Sequence, residues 1–237
     1  KGFSKQCIAI EQGVARIMKQ QEVNGFKFDL QSALLLLAEL REKKQAIEDE
    51  VHNTFKPKWV DDKLVTPYIK KDGDLSKRGL TDDEYKRCID TNNFKPFMRQ
   101  TLQVFNLGSR KQIGEYLIDF GWKPERFTPT GQPIVDEKTL SAITHIHEAK
   151  LIADFLLLQK RIAQVDSWVE GVQEDGRVHG FVIPNGAITG RMTHRNPNMA
   201  QVPAVYSPYG KECRACWTVE EGNVLIGVDA SGLEIRM

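Results

Sequence analysis

The sequence has no long hydrophobic run. Its longest apolar stretch, Ala33 to Leu40, is interrupted by Glu39 and followed by the charged segment REKKQ, far short of the roughly 20 residues that span a bilayer. No membrane association is therefore expected. The first residues, KGFSKQCIAIEQG, carry charges within what would be the apolar part of a secretion signal, and the expected setting is the cytoplasm. Cysteine is scarce: four, scattered through 237 residues, exclude a disulfide framework. Cys213 and Cys216 form a C-x-x-C, but no second pair completes the four ligands of a structural zinc. His145 and His147 lie two residues apart, a spacing that does not share a helix face. Low-complexity segments are missing too. A composition 41% hydrophobic and 27% charged is that of a globular protein, with room for one large domain or two small ones.

The net charge of +1 is uninformative, but its distribution is not. Between Arg177 and Trp217 the basic residues Arg177, Arg191, Arg195, Lys211 and Arg214 face one acid, Glu212. After them come Glu220, Glu221, Asp229 and Glu234 against Arg236. A basic track leading into an acidic end suits a polyanion held beside a cation, although a solvated charged surface would read the same way.

Helical signals dominate the first two thirds. Ile10, Val14, Ile17 and Met18 recur at helical spacing, and Asn24-Gly25 marks a turn. A long helix is expected from Asp29, a suitable N-cap, with Leu30, Ala33, Leu34, Leu37, Leu40, Ile47 and Val51 as its apolar stripe. From about His52 to Phe105 periodicity is lost, which predicts loops with at most one short helix, opened by the capping box Thr81-x-x-Glu84. A second such pattern, Ser109-x-x-Gln112, opens a helix stopped by Gly121. Another helical region runs from Glu137 to Val165, with Leu151, Ile152, Phe155 and Leu156 as core candidates. After Trp168 the character changes to short strands and turns, punctuated by Pro184-Asn185-Gly186, Gly190 and Asn196-Pro197. Asn223 to Val228 reads as a buried strand. Asp229 at its end has two readings, a helix cap or a metal ligand.

The segment TGRMTHRNPNMAQVP (Thr189 to Pro203), followed by VDASGLEIRM at the end of the chain, resembles the central signature of the family A DNA polymerases, the bacterial polymerase I class. The resemblance is strongest to the replicative polymerases of short-tailed phages. FNLGSRKQI from Phe105, TGQPIVDEKTL from Thr130 and HGFVIPNGAITGR from His179 are similar to family segments in the same order.

The resemblance implies an α+β fold in which a mainly helical thumb joins part of an antiparallel palm sheet. Residues 1–28 would be a palm-side lead-in, 29–165 the thumb with an insertion at about 52–105, and 166–237 the first part of the palm, ending inside the first catalytic motif. The implied activity is DNA-templated DNA synthesis, by nucleotidyl transfer to a primer 3′-OH. Primer-template DNA and deoxynucleoside triphosphates are the implied partners, and two Mg2+ ions the cofactors.

By the same resemblance Asp229 and the Ala230 carbonyl are metal ligands, and Asp229 and Glu234 are catalytic, Glu234 excluding a ribose 2′-OH. Arg191 would donate to minor-groove acceptors common to all base pairs. Asn198 and Gln201 would face the primer-template, Lys160 and Arg161 the primer phosphates, and Arg236 the nucleic acid. Tyr206 departs from the pattern, standing where many members have arginine, whereas His194 agrees with the phage branch. The insertion is where phage members recruit a thioredoxin-like processivity factor. Fingers and the remaining palm would come from a second chain or from further residues. The alternative class is a non-catalytic duplex-binding fragment that needs a partner chain; Glu234 and the T-G-R segment argue against a single-subunit RNA polymerase.

Overall fold

The computed structural model describes residues 4–228 together with Gly2 and Gly232. Helices are joined by three two-stranded antiparallel sheets, an α+β architecture. The chain divides into two compact units, residues 48–153 and residues 1–47 with 154–237. The division falls within each of two long helices, α2 and α6 below.

In the discontinuous unit, α1 (Lys5–Asn24) begins at Ser4, whose hydroxyl accepts from the Cys7 amide, and ends at Gly25, φ +60°. None of its residues is buried, and Ile8, Ile10 and Ile17 are exposed. Strand β1 (Phe26–Lys27) follows. Helix α2 (Leu30–Thr54) is capped by Asp29, which accepts from the Ser32 amide at 3.0 Å and hydroxyl at 2.6 Å. Those two bonds hold the Asp29 carboxyl below the ordinary carboxylate range. Of its expected stripe, Ala33, Leu37, Leu40 and Val51 are buried, but Leu30 and Leu34 are exposed and Leu36 takes their place.

The core of this unit joins Phe28, Ala33, Leu36, Leu37 and Leu40 to Leu158, Val165, Trp168, Val178, Cys213 and Cys216. Trp217 packs on it, edge-on to Phe28 at 5.0 Å and to Trp168 at 5.5 Å between ring centroids, geometries that add to the burial of aromatic area. The C-x-x-C cysteines are thus core residues, and burial pushes the Cys216 thiol up to about 11, far from a reactive thiolate.

In the continuous unit the expected loops of 52–105 are corrected by two strands. Strand β2 (Lys58–Val65) pairs antiparallel with β3 (Phe97–Gln103), and helix α3 (Asp82–Asp90) lies between them in sequence. Neither strand alternates apolar with polar residues, because both faces of this ribbon are largely exposed, so hydrophobic periodicity carried no strand signal. The capping box of α3 forms as expected between Thr81 and Glu84. Glu84 also accepts from Arg99 of β3, Nε to Oε1 2.7 Å, with a second bond to Oε2. That guanidinium holds the Glu84 carboxyl down to about 2. Helix α4 (Arg110–Asp119) starts at Ser109 and buries Ile113, Tyr116 and Leu117; the ring of Tyr116 meets Phe105 at 4.6 Å. Helix α5 (Glu137–Ala142) and the start of α6 (His147–Glu170) complete the unit.

Strands β4 (Arg177–Val178), β5 (Phe181–Ile183) and β6 (Thr193–Arg195) and helix α7 (Gly210–Ala215) belong to the discontinuous unit. Strand β4 pairs with β1, and β5 with β6. His179, beyond β4, reaches the Glu22 carbonyl at 2.7 Å and the Asp175 carboxylate at 2.9 Å. Both partners can only accept, so the two bonds together favour the imidazolium, and the bond to Glu22 leads in raising the His179 pKa. The buried strand expected over Asn223 to Val228 does not form. The run belongs to no strand, and Val224, Leu225, Ile226 and Val228 are exposed. A strand needs a neighbour for its backbone hydrogen bonds, and none pairs with this run among the described residues.

Candidate nucleic-acid interface

Arg161, Gln164 and Trp168 follow one another at i, i+3 and i+7 along α6, a spacing that puts them on one helix face. Each reaches a stretch of irregular backbone after β6. Trp168 Nε1 donates to the Asn198 carbonyl at 3.2 Å, Gln164 Nε2 to the Gln201 carbonyl at 2.8 Å, and Arg161 Nε to the Pro208 carbonyl at 3.2 Å. Arg214 of α7 adds a fourth bond, Nε to the Pro203 carbonyl at 2.8 Å. The loop is therefore held by its carbonyls, which point at the helices. A loop without secondary structure must satisfy its polar backbone somehow, and these side chains do so for four carbonyls between residues 198 and 208, while the Ala204 carbonyl accepts from the Ser207 amide at 2.9 Å.

Close packing fixes the same loop. A Cβ on Gly210 would lie 1.9 Å from the Ala204 carbonyl oxygen, and one on Gly180 would lie 3.0 Å from the Pro197 carbonyl oxygen and 2.4 Å from the Met199 methyl. Only glycine lets these backbones approach. Pro197 and Pro203 are buried, while Arg191, Arg195, Asn198 and Gln201 are exposed. The Asn198 side chain accepts from the Ala200 amide at 3.0 Å, which limits its rotation. The Arg195 guanidinium lies over the Phe181 ring, 4.7 Å from its centroid.

The residues expected at this site are distributed unevenly. Asn198 and Gln201 are both exposed on the anchored segment, whereas Arg191, also exposed, lies outside it in the turn between β5 and β6. Lys160 is exposed on α6, whereas its neighbour Arg161 is 8% exposed and turned inward, its Nη1 donating to Gln164 Oε1 at 2.8 Å. Within the basic track, Arg177 donates to the Asn24 and Gly25 carbonyls and pairs with Glu220, which Lys27 also holds. Lys27 leads in depressing the Glu220 carboxyl. Asp229, Ala230, Glu234 and Arg236 lie outside the described residues. Among the described residues no group of three or more His, Cys, Asp or Glu side chains could hold a metal ion. Also among them, no helix is long and apolar enough to cross a membrane.

Sequence reasoning missed Gln164 and Trp168, and it placed Arg214 in a basic track facing a polyanion, whereas Arg214 holds the loop together with them and Arg161. The available signal was a glutamine and a tryptophan at helical spacing from Arg161, on a face otherwise filled by Leu158 and Val165. A cleft of about 250 Å³ behind the loop is lined by Met199, Val202, Arg214 and Trp217 together with Phe26 and Leu225. Leu225 belongs to the run that leads to Asp229, so that run and the loop border the same cleft.

Comparison with known proteins bears on this arrangement. Residues 83–237 match DNA polymerase family A. The chain is 34% identical to a DNA-directed DNA polymerase of Enterobacteria phage T3 and 33% identical to one of Escherichia phage T7, in each case over 98% of this chain and 39% of the relative. It spans about two fifths of their length. Its fold is similar to that of the polymerase domain of Pol1 from M. smegmatis, solved with DNA primer-template and dNTP. There the TM-score is 0.66 at 19% identity, over 90% of this chain and 30% of the other. The matched span takes in the anchored loop, the helix face that holds it and the run beyond, and the chain belongs to DNA polymerase family A.

Proposed function

We propose that the protein carries out DNA-templated DNA synthesis, and that this chain grips the primer-template and begins the catalytic site. The observation that carries the reading is the loop of residues 198–208, fixed by its carbonyls so that Asn198 and Gln201 stay outward and exposed. A polymerase must hold a correctly paired primer end of any sequence. Donors aimed at purine N3 and pyrimidine O2, which every base pair offers in the minor groove, do this without reading sequence. Arg191 is assigned that contact, and Asn198 and Gln201 are assigned to face the primer-template. Lys160, exposed on α6, is assigned to primer phosphates. Arg161 acts with it by holding the loop, and Arg236 is a further nucleic-acid contact. Residues 29–165 are assigned to the thumb and 166–237 to the palm, with 1–28 as lead-in.

For the metals, the donors available at the end of the chain are the Asp229 carboxylate and the Ala230 carbonyl. Both are hard oxygen ligands of the kind Mg2+ takes, and Mg2+ keeps waters and phosphate oxygens for its remaining positions. When bound, two such ions activate the primer hydroxyl and stabilise charge on the transferred phosphoryl group. Glu234, five residues beyond Asp229, is assigned the place that excludes a 2′-OH.

The insertion at 52–105 is assigned to processivity. In its ribbon Trp59 is paired with Leu102 and Leu64 with Met98, and Met98 and Leu102, four apart on β3, share a face. All four are exposed, an apolar surface that a thioredoxin-like clamp protein would cover.

The test is primer extension by the full-length protein carrying Arg191→Ala. Loss of one charged hydrogen bond at the primer end corresponds to about 1.5–3 kcal/mol, so turnover should fall about ten- to a hundredfold with little change in DNA affinity. Loss of affinity alone, uniform along the duplex, would make Arg191 a phosphate contact and remove the reading.

A further inference from the structure

Gln164 stands at a junction. Its Oε1 accepts from Arg161 Nη1 at 2.8 Å and its Nε2 donates to the Gln201 carbonyl at 2.8 Å, while Arg161 Nε reaches the Pro208 carbonyl at 3.2 Å. The direction of this chain is fixed by chemistry. A guanidinium can only donate and a carbonyl can only accept, so the amide has one orientation that serves both. Residues 201 and 208, the two ends of the segment QVPAVYSP, are thus tied to one helix face, Pro208 by Arg161 directly and Gln201 by the Gln164 amide that Arg161 also holds. Of the common side chains of this length, only glutamine offers a donor and an acceptor on one planar group. Glutamate keeps the acceptor and loses the donor; methionine loses both.

We infer that Gln164 is a positioning residue for nucleotide addition: by holding the Gln201 carbonyl it sets where the Gln201 side chain stands at the primer end. The inference rests on the role assigned to Gln201 above. Gln164 itself is partly buried, and it acts through the backbone it holds. Bonds linked in this way polarise one another, so loss of one weakens the next. Replacing Gln164 by glutamate sets an oxygen against the Gln201 carbonyl oxygen while leaving Arg161 its partner, which separates the loop contact from the Arg161 contact.

The experiment compares Gln164→Glu, Gln164→Met and Gln201→Ala, and the double variant Gln164→Glu/Gln201→Ala, in the full-length protein. Single-nucleotide addition to a matched primer end, DNA affinity and melting temperature are read for each. Gln164→Glu should lower turnover about tenfold, the upper end for one neutral hydrogen bond, with affinity and melting temperature near those of the parent. Gln164→Met, which removes both bonds, should lower turnover at least as far. In the Gln201→Ala background Gln164→Glu should add little, since the side chain it positions is gone. Effects that add in full, or a loss of turnover that only follows melting temperature, would overturn the inference. A silent Gln164→Glu beside a damaging Gln201→Ala would overturn it alone. A Gln201→Ala protein as active as the parent would remove the role assigned to Gln201 and the inference with it.

Discussion

The loop of residues 198–208 and the ribbon of β2 and β3 are stabilised in opposite ways. The ribbon satisfies its backbone by itself, through a ladder from Lys58↔Gln103 to Val65↔Phe97 with one irregularity at Asp61 and Lys63. Its side chains are left over, and Trp59, Leu64, Met98 and Leu102 face solvent. The loop has no ladder, and its carbonyls at Asn198, Gln201, Pro203 and Pro208 depend on side chains sent from α6 and α7. A self-sufficient backbone can present an apolar surface at small cost to the fold. A dependent backbone presents only what its anchors allow, but it presents that in one place, which suits contacts that must register with a primer end.

The comparison breaks most readily at Trp168. Its side chain is fully buried, packs edge-on against Trp217 and holds the Asn198 carbonyl. Trp168→Ala should cost about 3 to 5 kcal/mol, the range for deleting a buried aromatic side chain, measured by urea unfolding. Trp168→Phe keeps most of the packing and loses the donor, and it should cost less while still loosening the loop. If Trp168→Ala cost under about 1 kcal/mol, the loop would not depend on its anchors and the contrast with the ribbon would fail.

Much of this was legible from the residues, and the parts that were not share a cause. The Asp29 cap and the Thr81-x-x-Glu84 box could be read because each is a local exchange within one helix turn. Of the four core candidates in the second helical region, Ile152 and Phe155 are fully buried and Leu151 and Leu156 only partly. Gln164 could not be assigned from sequence, because it grips a backbone carbonyl 37 residues away and a carbonyl has no residue identity. Strands β2 and β3 were illegible because the period-2 signal needs one wet and one dry face, and the ribbon has two wet ones. At Asn223 to Val228 composition favoured a strand, but composition cannot supply the neighbour that a strand requires.

The Glu84–Arg99 pair sharpens the comparison at the next level, since it connects the ribbon to α3 by side chains. Glu84→Gln should cost about 1.5–3 kcal/mol at neutral pH, as expected for hydrogen bonds to charged groups. The Glu84 carboxyl is held at about 2, below its ordinary value near 4.5. Its contribution is therefore present above pH 4.5 and is lost as pH falls through that window toward 2. Urea unfolding at pH 7, 4 and 3 should show the gap between Glu84→Gln and the parent narrowing with acid. A gap that stayed constant would mean the carboxylate is not what ties α3 to the ribbon.

The smallest effect on stability is expected on the exposed face of the ribbon itself. Trp59→Ser and Leu102→Thr remove apolar side chains that are 66% and 52% exposed, and the ladder beneath them is made by backbone groups. Surface changes of this kind usually stay within about 0.5 kcal/mol, so melting temperature should barely move. Function should separate cleanly from stability. Single-nucleotide addition, which the proposal assigns to the anchored loop, should be unchanged in both variants. Products made in one binding event should shorten if a partner protein covers this face, because the partner would lose its apolar contacts while the fold kept its own. Shortened products with unaltered single additions would assign the two regions to different tasks. A drop in single additions, or a melting temperature lowered by many degrees, would mean that the ribbon face packs against this protein itself and is no docking surface.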